Sequence, residues 1–373
     1  MQISTAFRRI VLVLALSAAG CSHASADGPE DGFKHVKIGF IFVGTRDDLG
    51  YNEAAWEGSE AIARAFPDHG VLRQEHVPES AEAEAVMERM IKDGARILFA
   101  TSYGHLPSAV AIARRHPEVV VLHEGGLEPK PGLDNLGTYW GSVYEPVYEA
   151  GIAAGAASRT GRLGFVAAFP IPATDNNVNA FTLGARSVNP DATTHVRFTG
   201  DWCNPEKQAE AADGLIAGGV DVLTQHQDCT ATVLRAADRA GVRSVGYHYD
   251  GSEVAPKGWL VGSVWDWRRL FVDIVRTIST RHFVESPYNG DFRGGLRTGN
   301  NPFVLTELSP SAAPGTAERI AAAEASLRAG HSPFDGPLTD REGKLRVPAG
   351  VTPSQAAIER MDWWVPGVVG DAQ

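Results

Sequence analysis

Short apolar runs alternate with stretches whose apolar residues recur every three or four positions, and this rhythm repeats along most of the chain. The runs over 36–42, 71–77, 97–100 and 119–123 read as buried strands. Between them, 52–66, 79–91 and 106–115 read as helices, the first with Ala55, Ile62, Ala63 and Phe66 inward. After a helical stretch near 148–157 a second set follows, with strands at 163–168, 194–198, 220–225 and 243–247. Its helices lie at 176–188, 205–217 and 231–240, and Gly241 supplies the stop for the last. The run 260–265 and a helix burying Leu270, Phe271, Ile274, Val275 and Ile278 then lead back toward the first set. The predicted fold class is α/β, with two doubly wound parallel-sheet lobes joined by several crossovers and a cleft between them.

The division expected is 35–140 plus about 250–285 for the first lobe and 141–249 plus about 286–352 for the second. Residues 353–373 form a tail packing on both. The chain's 373 residues, 43% hydrophobic and 21% charged, contain enough apolar material for two such bodies. The formal charge of −11 repels phosphate backbones, so nucleic acid is not an expected partner.

The first 20 residues follow a different rule. Arg8 and Arg9 precede an apolar run from Ile10 to Leu16, then Ser17-Ala18-Ala19-Gly20 and Cys21, the pattern of an export signal too short to cross a bilayer as a mature span. Ala-Gly-Cys resembles a bacterial lipobox with Cys21 as the lipid-modified N-terminus, although Ala18 stands where such motifs prefer Leu; ordinary cleavage after Ala24 or Ala26 is the alternative. Residues 21–34, small and polar, read as a spacer. The mature protein is then an exported, tethered monomer facing the periplasm or the cell exterior.

In open α/β sheets a ligand sits beyond the carboxyl ends of the strands. That rule selects Asp47, Asp48, Tyr51, Asn52, Ser102, Tyr103, His123 and Glu124 from the first set. From the second it selects Phe169, Trp202, His226, Asp228, His248 and Asp250, then Trp265 and Trp267 near the return. Aromatic rings and carboxylates dominate, and Lys and Arg are scarce. Such a lining suits a flat uncharged ring bearing hydrogen-bond donors.

Several of these residues have structural readings too. Asp48 and Asn52 suit the N-terminus of the following helix, as Asn204 with Pro205 suits the next lobe's. Tyr51 can pack on its own helix. Trp265 and Trp267 alternate, so one faces the cleft, for which Trp265 is taken, and the other faces the core. His226, Asp228, His248 and Asp250 allow a metal reading, which is disfavoured because alternate residues at a strand end point to opposite faces. No phosphate loop, nucleophile elbow, H-E-x-x-H or C-x-x-C occurs, so neither a cofactor nor catalysis is expected. Cys203 and Cys229 could tie two cleft loops, but two unpaired thiols are the favoured reading, because neighbouring loops need not bring their Cα atoms within reach.

The chain resembles the basic membrane protein (Bmp) family of substrate-binding lipoproteins. The resemblance rests on Lys37-Ile38-Gly39-Phe40, on Gly50-Tyr51-Asn52 with Trp56-Glu57-Gly58, on Phe99-Ala100-Thr101-Ser102-Tyr103-Gly104, and on Phe169-Pro170-Ile171-Pro172. It continues with the string from Asn179 to Pro190, with Thr224-Gln225-His226, Gly336-Pro337-Leu338 and Val347-Pro348-Ala349-Gly350, and with Met361-Asp362-Trp363-Trp364-Val365. It implies a type I periplasmic-binding-protein fold closing on a purine base or nucleoside, for delivery to ABC permease subunits. Aromatic rings would sandwich the base, Asp48 and Asn52 would hold its edge, and Trp202 would stand at the second lobe's aromatic position. This chain departs from the family where Trp265 replaces a Lys used for ribose, where His248 replaces an Asp, and where Cys203 and Asn204 follow the tryptophan. Loss of the ribose contacts points to a free base such as adenine. A periplasmic nucleoside hydrolase and a ligand sensor without a transport role are the rival readings.

Overall fold

The computed structural model describes residues 36–125 and 132–370; Cys21, the export signal and the whole of the spacer lie outside the described residues. The chain runs β1 (Lys37–Ile41), α1 (Tyr51–Ala65), β2 (Val71–Gln74), α2 (Glu82–Lys92), β3 (Ala95–Ala100), α3 (Leu106–Arg115), β4 (Val120–Glu124), β5 (Leu136–Gly141) and α4 (Tyr144–Ala157). It continues through β6 (Arg162–Ala167), α5 (Pro172–Val188), β7 (Thr193–Phe198), α6 (Pro205–Ala217), β8 (Val222–His226), α7 (Ala231–Ala240), β9 (Arg243–His248) and β10 (Trp259–Trp265). Next come α8 (Arg268–Ser279), β11 (Asp291–Gly294), β12 (Phe303–Leu305), α9 (Thr316–Arg328), the pair β13 (Leu338–Thr339) and β14 (Leu345–Val347), α10 (Gln355–Ile358) and β15 (Val368–Val369).

Two sheets result. The first has the order β11-β5-β4-β3-β1-β2, and the second β12-β10-β9-β8-β6-β7-β15. All neighbours within them are parallel except β12, which runs antiparallel to β10. In both sheets the chain begins near the middle and winds outward in two directions, so the strand order reverses beside β1 and beside β6. Ligands of open α/β sheets bind at such reversal points.

Local chemistry explains the element ends. Asn204 caps α6 by accepting from the Lys207 amide at 3.1 Å, with Pro205 in the first turn. Gly241 closes α7 in the left-handed conformation at φ 68°. The tail is stapled to α5: Asp175 accepts from the Trp364 indole at 2.6 Å, and Asn179 accepts from the Val365 amide at 2.8 Å. Beyond that staple β15 pairs with β7 at the sheet edge.

The crossovers differ from the sequence expectation. The sequence places residues 250–285 in the first lobe, yet β10 pairs with β9 in the second sheet, while α8 packs on α1 of the first. Conversely β11, expected in the second lobe, adds to β5 in the first. A fully buried parallel strand is apolar on both faces, so its pattern does not say which sheet it joins; pairing decides. The strand β5 was not foreseen at all.

Candidate functional site

The carboxyl ends of β1, β3 and β4 face those of β6, β8 and β9 across a closed seam. Hydrogen bonds cross it: the Tyr51 amide donates to the Asp228 carbonyl at 3.1 Å, the Thr230 hydroxyl donates to the Leu49 carbonyl, and the Tyr249 hydroxyl donates to Glu57 at 3.0 Å. Gly50 lies at the point of closest approach. A Cβ on it would fall 1.6 Å from the Asp228 carbonyl oxygen.

Asp48 is occupied by its own helix. One carboxylate oxygen accepts the amides of Gly50 (2.9 Å) and Glu53 (3.0 Å), and the other accepts the Asn52 amide (3.0 Å) and side-chain nitrogen (2.8 Å). Asn52 in turn accepts from the Gly44 amide at 3.0 Å. The pair assigned to the ligand's edge therefore spends its acceptors on shaping the turn before α1, neutralising amides that a helix start leaves unpaired.

Other acceptors face the seam with capacity to spare. Glu124, at the end of β4, is fully buried; it accepts the Tyr139 hydroxyl at 3.3 Å on one oxygen while the other oxygen has no partner. Burial pushes its carboxyl up to about 8, so it is largely protonated at neutral pH and can donate as well as accept. Tyr51 lies against it, and burial followed by that carboxylate raises the phenol. Asp228, after β8, stands 4.0 Å from His248 Nε2. Its carboxyl is held well above the usual range by burial, and then by the charges of Asp48, Glu79, Glu124 and Asp201.

Around these acceptors the rings form an unbroken series. Phe169 meets Trp202 edge-on at 5.3 Å, Trp202 lies 5.7 Å from His226, and His226 lies 5.8 Å from His248. His248 then touches Tyr51 of the other lobe at 5.2 Å, and Tyr51 lies 6.5 Å from Trp140. Burial lowers both imidazoles, His226 to about 3, so they are neutral rings at physiological pH. Phe169 and Trp202 are half-buried, on the outer end of the series.

The remaining expected residues are placed elsewhere. Ser102 donates to Glu79, and its carbonyl receives His123. Tyr103 is 60% exposed, standing outside the seam. Asp250 is exposed and accepts from the Ser252 amide at 2.9 Å, closing a turn; the chain reverses at His248, with φ 65°, and turns position 250 toward solvent. Trp265 is buried, stacked on Trp267 at 4.2 Å and packed on Trp140 and Phe303 at 4.5 Å each. It backs the ring series, with its indole nitrogen unpartnered.

Sequence reasoning missed Trp140 and Asn177. Trp140 belongs to the unforeseen β5, whose carboxyl end would have placed it at the cleft. Asn177, near the start of α5, donates to the Tyr247 hydroxyl at 2.7 Å and keeps a buried carbonyl oxygen unpartnered. A helix that follows a strand begins at the cleft, and that was the available signal. The favoured reading of the cysteines is also overturned: Cys203 and Cys229 form a disulfide, with Cα atoms 5.2 Å apart. The loops after β7 and β8 lie nearer than their spacing of 26 suggests, because β6, which both strands flank, is the only strand between them. Among the described residues no group of three or more His, Cys, Asp or Glu could hold a metal ion.

Two winding lobes with a ring-lined seam define a clamshell binding protein. The family model for ABC transporter substrate-binding proteins of the PnrA-like (Bmp) type matches residues 35–304, and the chain belongs to that family. A purine-binding protein of Brucella abortus is 29% identical over 96% of this chain and 98% of its own length. A putative ABC transporter glucose-binding protein of Haloferax volcanii is 33% identical over 80% of this chain and 74% of its own. Among solved structures, an ABC transporter solute-binding protein from Conexibacter woesei superposes with a TM-score of 0.65 at 19% identity, covering 79% of this chain and 97% of that one. The family works outside the cytoplasm, and no helix among the described residues is long and apolar enough to cross a membrane.

Proposed function

We propose that this substrate-binding protein captures a purine base, with adenine the best fit, and hands it to its permease without chemical change. The observation that carries the reading is the ring series from Phe169 to Trp140 with Glu124 and Asp228 as acceptors with free capacity beside it. A flat base stacked on such rings gains about 1–3 kcal/mol per contact. Asp228 accepts from an exocyclic amine, and protonated Glu124 donates to a ring nitrogen; each bond penalises a ring that lacks the matching group. Asp48 and Asn52 contribute by fixing Tyr51 and Gly50. The filled space around Trp265 leaves the base without a ribose site. The Brucella relative supports this ligand class.

We further infer that Cys21 carries the lipid anchor and that the protein acts as a monomer. Recovery of a Cys21→Ser variant in the membrane fraction would overturn the anchor.

A sugar is the second reading, because the Haloferax relative carries that name and carboxylates beside aromatic rings also bind hydroxyl-rich rings. A thermal-shift panel of adenine, guanine, hypoxanthine, adenosine, inosine and glucose decides. Ligand at a hundred times its dissociation constant adds about 2.7 kcal/mol. A shift with adenine is expected; a shift with glucose alone overturns the purine reading. Release of free base from adenosine beyond the bound fraction would make the protein a hydrolase.

A further inference from the structure

The disulfide joins two loops that each do something different at the seam. Cys203 follows Trp202, which with Phe169 forms the outer end of the ring series, on the loop after β7. Cys229 lies between Asp228 and Thr230, on the loop after β8, and these two residues make the crossing bonds to Tyr51 and Leu49. A hydrogen bond from the Asp228 amide to the Trp202 carbonyl, at 2.9 Å, runs beside the covalent link. From α6, Gln208 braces the same junction, donating to Gln227 at 3.0 Å and approaching the Cys229 sulfur at 3.3 Å. Cys203 is exposed and Cys229 half-buried, so a reductant reaches one sulfur directly.

We propose that the Cys203–Cys229 disulfide is a positioning element of the ligand site, which makes Trp202 and the interlobe clasp at Asp228 and Thr230 move as one body and places ligand retention under thiol control. The proposal rests on the reading of Trp202 as a ligand-stacking ring. While the bond is intact, closing the clasp brings Trp202 to the ligand in the same step, and the ordering cost of the two loops is met once. Reduction separates them. A dithiol attacks the exposed Cys203 sulfur as its thiolate and forms a mixed disulfide, and Cys229 leaves as a thiolate that takes up a proton. The reductant's second thiol then displaces Cys203, so that two cysteine thiols and one oxidised cyclic reductant result.

The test compares the oxidised mature protein, the same protein reduced with dithiothreitol and then reoxidised, and a Cys203→Ser/Cys229→Ser variant. Adenine affinity is read by calorimetry, and the size of the unliganded protein by small-angle scattering. Affinity is expected to fall about tenfold on reduction, with far-UV dichroism and cooperative unfolding retained, and to return on reoxidation. The unliganded protein is expected to expand as the clasp loosens. In a Trp202→Ala background reduction should change affinity much less, a coupling that a merely structural cross-link would not produce. Unchanged affinity, an equal fall in the Trp202→Ala background, or loss of the fold in both the reduced protein and the serine variant would each overturn the proposal. Should the oxidised protein bind no purine, the purine reading falls, and scattering alone decides: an unchanged size on reduction refutes the positioning role.

Discussion

The amide of Tyr51 donates to the carbonyl of Asp228 across the two lobes, 3.1 Å apart, and joins the first residue of α1 to the loop after β8. This bond involves only main chain, so it survives changes of side chain provided the two backbones can meet. Gly50, beside it, is what lets them meet.

Gly50→Ala should therefore hold the lobes apart. The φ of Gly50, −165°, is not in the left-handed region that favours glycine, and the effect expected is steric, against the Asp228 carbonyl. Ligand affinity is expected to fall by more than about tenfold. Small-angle scattering should show an expanded particle whether or not ligand is added, and compaction on adding ligand would refute the clasp.

Trp202 and Trp265 should separate cleanly. Trp202 is half-buried at the seam, so Trp202→Ala should weaken binding about tenfold with little change in the unfolding midpoint of the free protein. Trp265 is buried among Trp140, Trp267 and Phe303, and Trp265→Ala should cost about 3–5 kcal/mol of stability by leaving a cavity. Chemical denaturation of both variants, with calorimetric titration of the first, checks the contrast. Equal stability losses would place Trp202 in the core.

Those two tryptophans also mark how far the sequence could be read. The alternation of apolar runs made both lobes legible, and the strand-end rule named Tyr51, Glu124, Trp202 and Asp228, which the fold gathers along the seam. What it could not see was competition for a side chain's bonding capacity. Asp48 looks like a ligand acceptor until the four donors of its own turn are counted, and Asp250 follows a strand but points outward after the reversal at His248. Sheet membership of β10 and β11 was illegible for a related reason, since burial on both faces erases the periodicity that would tell one sheet from another. The cysteine pair depended on distance between loops, which sequence spacing does not encode.

Stability should fall as pH rises from about 6.5 to 8. Glu124 and Glu149 are buried and held up to about 8, against an ordinary 4.5. In that interval the native state keeps protons that the unfolded chain has released, so stability declines with pH until the native groups have titrated. The imidazoles act in the opposite sense: His226, lowered to about 3, and His123, lowered to about 4, cost stability only as pH drops below about 6.5. Glu124→Gln keeps a neutral side chain of the same shape and should flatten the decline above pH 6.5. Thermal melts at pH 6.5 and 8 measure it, and an unchanged decline would show that Glu124 is ionised in the folded protein.

Asp228→Asn should exchange stability for specificity. The Asp228 carboxyl is held high by burial and then by four neighbouring carboxylates, so removing its charge relieves a repulsion; the free protein should melt higher at pH 8. The same change swaps an acceptor for a group that can also donate. Adenine, which offers an exocyclic amine to Asp228, should bind more weakly, while hypoxanthine, which offers a carbonyl at the same position, should lose less or gain. A parallel titration of both bases on the wild type and the variant reads this as a change in their affinity ratio. If the ratio stays constant, Asp228 does not face the six-position of the ring, and the orientation proposed for the base is wrong even where binding itself persists.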